Sequence, residues 1–128
     1  MKKYLSLSIL KKPILPYLVV AICWWIGFNP GFFSGDSFAV VNMAPDGNLN
    51  SLWTAAWAIF IEIVSLGGSH PELPTLVLAL ILAFSFAVFI ESISAKNHGH
   101  WVGLLLMVTP LVGAMGITLW HDIPMVAG

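Results

Sequence analysis

The chain reads as an all-α membrane protein, with three transmembrane helices and one interfacial amphipathic helix in its first exterior loop. Three observations predict this class. Hydrophobic residues make up 59% of the sequence and charged ones only 9%, against roughly a quarter charged in an average soluble domain. The apolar residues gather into runs of about 20, the length of helix that crosses hydrocarbon. The charges are sorted: Lys2, Lys3, Lys11, Lys12 and Lys96 fall in segments that alternate along the chain with those carrying Asp36, Asp46, Glu72 and Asp122.

The first span covers about residues 14–33. It begins after Pro13 and ends at Asn29-Pro30-Gly31, where proline and glycine stop a helix. The lysines ahead of it resemble the basic opening of a signal peptide, but no small-residue cleavage site follows. Cys23 comes after bulky Ile22, which does not suit a lipoprotein cleavage site, so an uncleaved signal anchor is expected. As the sole cysteine, Cys23 forms no disulfide within the chain. The second span covers about 73–93 and runs without charge from Pro74 to Ile90. The third covers about 101–120, bracketed by Trp101 and Trp120 at the expected headgroup levels.

Leu52–Leu66 is apolar but too short to cross, and it carries Glu62. On a helix, Trp53, Trp57, Phe60, Ile61 and Val64 share one face, while Thr54, Ala58, Glu62 and Ser65 share another. Such a helix would lie along the interface with its aromatic face in lipid and Glu62 toward water or protein. Counting this segment as a fourth span would put Lys96 outside. Three spans keep all five lysines cytoplasmic and the loop aspartates exterior, so a multi-pass protein with a cytoplasmic N-terminus is expected. No internal repeat or polar linker divides residues 1–128, which form a single transmembrane domain.

Chemistry is expected in the exterior loop from Ser34 to Ser51, the most polar part of the chain. Asp36 or Ser37 could cap a short helix there. Asp36 is also placed to act as a general base just above the hydrocarbon boundary. Asp46 lies in Pro45-Asp46-Gly47-Asn48, a composition that fits a tight turn. His121 and Asp122 follow the third span on the same side as Asp36, where they either end an interfacial helix or join a shared site. Glu91 and Lys96 read as a solvated cytoplasmic helix end. His70, His98, His100 and His121 are divided between the two membrane sides, so no metal site and no cofactor is expected from them. No phosphate loop, dinucleotide fingerprint or Gly-x-Ser-x-Gly elbow is present, and the charge balance argues against a nucleic-acid partner.

The order of these features resembles the N-terminal part of GT-C-type bacterial membrane glycosyltransferases. The likeness rests on Asn29-Pro30-Gly31-Phe32-Phe33-Ser34-Gly35-Asp36-Ser37, the interfacial helix ending Leu66-Gly67-Gly68-Ser69, and Trp120-His121-Asp122-Ile123-Pro124. The resemblance implies transfer of a sugar from a polyprenyl-phosphate carrier to an acceptor on the exterior face of the bacterial inner membrane. Asp36 would then be the catalytic base, and Ser37, His121 and Asp122 would bind substrate. It also implies further transmembrane helices beyond these three, the chain being an N-terminal portion. A glutamine usual after the Asp-Ser pair is Val40 here, and Thr54-Ala55 replaces a usual His-Pro. The alternative from another class is a small non-catalytic three-helix membrane protein, acting as a subunit or scaffold. A transporter would need more intramembrane polar residues than Ser85 and Thr109 supply.

Overall fold

The structure is a computed structural model that describes residues 14–34, 37, 41, 55–93 and 97–119. Among these residues the secondary structure is helical: α1 (Ile14–Gly27), α2 (Ala55–Val64), α3 (Glu72–Ile93), α4 (Asn97–Val108) and α5 (Pro110–Gly116). Pro16 is tolerated in the first turn of α1, where backbone N–H groups have no intrahelical partner. The helix ends at Gly27, and Gly31 closes the turn that follows with a bond from its N–H to the Phe28 carbonyl (2.7 Å). α2 ends through Leu66, Gly67 and Gly68, all at positive φ, with the Gly67 N–H reaching back to the Glu62 carbonyl at 2.8 Å. This six-to-one bond, with the Leu66 N–H on the Ile63 carbonyl at 3.3 Å, is a helix ending in which Leu66 takes the left-handed position that glycine usually fills.

Of the described helices, α3 alone is long and apolar enough to cross a membrane. Its bounds agree with the expected second span to within a residue. α1 is apolar but covers 14 residues, ~21 Å of helix against ~30 Å of hydrocarbon. The third expected span is not one straight helix. α4 and α5 meet at 72°, broken at Thr109-Pro110. The cause is chemical, since Pro110 has no N–H to bond the preceding turn and its ring crowds that turn's carbonyl. After α5 the chain turns extended, and Thr118 pairs with Phe32 in an isolated parallel bridge.

Packing follows side-chain size. Ala79, Ala83 and Ala87 recur every fourth residue on α3 and form a buried stripe with Tyr17 and Ala21 of α1. Small residues at this spacing let two helix backbones approach closely, the means by which helices associate where no water drives them together. Phe84, Val88, Phe89 and Ile93 of α3 stay exposed, as do Leu15, Val19, Ile22 and Ile26 of α1.

The aromatic face of α2 does not point outward. Trp57 and Ile61 are buried in a second cluster with Leu78 and Leu119, flanked by Phe33, Val41 and Phe60. Ala58 and Ser65 are buried too. The expected assignment of Trp57, Phe60 and Ile61 to lipid is therefore corrected: protein takes that face, because Leu78, Leu119 and Phe33 offer an apolar surface within the chain. Glu62 is exposed, as expected.

Candidate functional site

Two groups of polar side chains tie the helices together, one at each end of α3. At the Glu72 end, the turn after α1 meets the start of α3 and the segment after α5. The buried Thr75 hydroxyl lies 2.8 Å from the carbonyls of both Pro30 and Glu72, which share its single proton, and it accepts the Trp25 indole N–H at 3.2 Å. Gly31 sits at φ +105°, and a Cβ there would stand 2.7 Å from the Ile117 carbonyl and 2.8 Å from the Thr75 methyl. Only glycine meets both the left-handed backbone and this approach. The Phe32 N–H bonds the Ile117 carbonyl at 3.1 Å, and the Leu119 N–H returns to the Phe32 carbonyl at 3.0 Å.

Ser37 completes the junction. Its buried hydroxyl donates to the Leu119 carbonyl at 2.5 Å. Ser34 and Ser37 also exchange bonds, each hydroxyl accepting the other's backbone N–H at 3.2 Å. That reciprocal pattern three residues apart is the geometry of a capping box. The capping role expected of Asp36 or Ser37 thus involves Ser34, whose spacing to Ser37 is the signal that sequence reasoning passed over. Ser37 is brought to the chain leading into Trp120-His121-Asp122, but its proton is committed to a backbone carbonyl. Asp36, His121 and Asp122 lie outside the described residues, as do Asp46 and Lys96.

At the Ile93 end, Tyr17 of α1, Glu91 of α3 and His100 of α4 form a chain of hydrogen bonds. The buried Tyr17 hydroxyl donates to the His100 carbonyl at 3.1 Å and lies 3.2 Å from His100 Nδ1. His100 Nε2 stands 2.9 Å from a Glu91 carboxylate oxygen. Glu91, expected at a solvated helix end, keeps 30% of its side chain exposed and also engages an imidazole that is itself mostly buried, a partner the sequence did not show. Gly103 makes room for this network, because a Cβ there would meet the Tyr17 hydroxyl at 2.5 Å. A polar group surrounded by apolar helices is costly without a partner, and every buried side-chain nitrogen and oxygen among the described residues has one.

The break in α4–α5 is satisfied in the same way. The Thr109 N–H and hydroxyl both bond the Leu106 carbonyl, and the Trp24 indole N–H bonds the Met107 carbonyl at 3.2 Å. No cluster of three or more His, Cys, Asp or Glu side chains able to hold a metal occurs among the described residues. His70, in the turn before α3, pairs at 2.9 Å with Glu72, the first residue of that helix.

The class these observations define, among the described residues, is an all-helical fold with one helix of membrane-crossing length and composition. Comparison with known proteins adds nothing to that class: no family model, no curated protein and no solved structure matches the chain.

Proposed function

We propose that the chain is part of a multi-pass membrane glycosyltransferase that moves a sugar from a polyprenyl-phosphate carrier to an acceptor on the exterior face, with Asp36 as general base. The observation that carries this reading is the junction of Phe32 and Ser37 with Ile117–Leu119. Asp36 adjoins Ser37 in the chain, and Asp122 follows Leu119 by three residues. The junction therefore supports a shared carboxylate site at the Glu72 end. The lysines support its orientation: the segments carrying them lead into α1 and link α3 to α4, both at the opposite end. With lysine-bearing ends held in the cytoplasm, the junction faces outward and the N-terminus stays inside.

In this reading Asp36 takes the proton of an acceptor hydroxyl as the sugar–phosphate bond breaks. Thr75, Gly31 and Ser37 hold the two loops in register, and α2 closes over them through Trp57 and Ile61. The test is transfer of label from polyprenyl-phosphate-linked hexoses and pentoses by membranes containing the full-length gene product. Asp36→Asn is expected to lower transfer by about 10²–10⁴-fold without changing the amount of inserted protein. Transfer at the unsubstituted rate would overturn the assignment.

One observation favours a second reading, a non-catalytic membrane subunit or scaffold. The described hydroxyls at the junction, Ser34, Ser37 and Thr75, are all hydrogen-bonded within the chain. A fold-holding role accounts for them without a substrate. Absence of transfer from every donor, with the protein co-purifying in a defined membrane complex, would support that reading instead.

A further inference from the structure

The exposed side of α2 is apolar. Ile59 and Ile63 stand four residues apart on one stripe of α2, Leu66 lies just past the helix end, and the three are 47%, 67% and 63% exposed. Glu62 flanks the stripe. The opposite side, Trp57, Ala58, Ile61 and Ser65, is buried. Leu66 holds a left-handed backbone, φ 55°, although the two residues after it are glycines. Leucine rarely adopts that conformation, and here it accompanies a side chain left outside the protein's own core.

Depth identifies what covers the stripe. α3 has 22 residues, ~33 Å of helix, close to the ~30 Å of hydrocarbon that it would cross. Ile61 packs with Leu78, six residues along α3 from Glu72 and so ~9 Å below its start. α2 is thereby held beside the first turns of a spanning helix, at the depth where interfacial helices bury their apolar side, about 5–10 Å below the headgroups. The segment from Ala55 to His70 contains no lysine or arginine. Attraction to anionic lipid is therefore not what would hold it.

We propose that α2 is seated in the bilayer by Ile59, Ile63 and Leu66, which contact acyl chains just below the glycerol level of a zwitterionic membrane while Glu62 reaches up to water. The proposal rests on the membrane reading above and is independent of any sugar transfer. It assigns to lipid the face opposite the aromatic one.

The test uses the full chain with Cys23→Ala, carrying either Ile63→Cys or Phe84→Cys labelled with the fluorophore NBD, in phosphatidylcholine vesicles. Phe84 is an exposed residue near the middle of α3. At position 63, a doxyl group placed near the glycerol is expected to quench at least about twofold more than one at the chain midpoint, with little quenching by aqueous iodide. At position 84 the midpoint doxyl group should quench more strongly. Iodide quenching at position 63, with doxyl quenching retained at 84, would overturn the seating of α2 and leave the membrane reading intact. Protection of position 63 from both quenchers would also overturn it, since protein would then cover the stripe. Failure of either doxyl lipid to quench position 84 would remove the membrane reading itself.

Discussion

Thr75 shows how one hydroxyl organises the junction. It is fully buried, and its oxygen meets two backbone carbonyls and one indole N–H from two helices and the turn between them. Thr75→Val keeps the shape and removes the hydroxyl, so the Pro30 carbonyl loses that hydrogen-bond donor. The expected cost is about 0.5–1.5 kcal/mol, the net contribution of an intramolecular hydrogen bond. It would appear as a lower thermal unfolding midpoint in detergent micelles. An unchanged midpoint would show that the hydroxyl does not hold the turn. Gly31 belongs to the same contact from the other side, because its missing Cβ is what lets the Ile117 carbonyl come close enough to pair with Phe32.

Among the helices, the break between α4 and α5 has the clearest cause and the clearest consequence. Pro110 interrupts the backbone ladder, and the carbonyl of Met107 is taken by Trp24 across the bundle. That bond brings the indole over α5, where Gly113 leaves the space its ring occupies. In Gly113→Ala the new methyl falls on the Trp24 ring, backed by packed helix rather than by open solvent. Overpacking of this kind is expected to destabilise by about 1–3 kcal/mol. Gly27→Ala is the control: nothing stands near its Cβ position, and a change within about 0.5 kcal/mol is expected. Equal unfolding midpoints for the two variants would contradict the role given to the Trp24–Gly113 contact. For α2 the same logic runs the other way, since Ile61 finds Leu78 and Leu119 within the chain and leaves Ile59 and Ile63 outside.

Taken together, the helices sort the molecule into two ends. Tyr17, Glu91 and His100 mark one; Pro30, Thr75, Ser37 and Leu119 mark the other. α1 therefore runs from the first end to the second, α3 runs back, and α4 with α5 returns. Single cysteines at Ser92 and Ser69, exposed near the two ends of α3, in a Cys23→Ala background, would report the membrane arrangement directly. A membrane-impermeant maleimide added to intact cells should label Ser69→Cys, and Ser92→Cys only after permeabilisation. Labelling of both from outside would rule out α3 as a crossing and, with it, the exterior site.

Much of this was legible locally. α3 follows from an unbroken apolar run, which is long and apolar enough to cross a membrane. The turn after α1 was readable in Asn29-Pro30-Gly31, and the start of the α5 break in Pro110, a signal that the expectation of one straight span passed over. What the one-dimensional pattern left open was which apolar face meets lipid and which meets protein. In water, periodicity separates core from surface because only one of them is apolar. In a chain this apolar both candidate surroundings of a helix face are apolar, so the burial of Trp57 and Ile61, the pairing of Glu91 with His100 and the joining of Ser37 to Leu119 were decided by three-dimensional packing, where shape and hydrogen-bond partners choose between apolar faces.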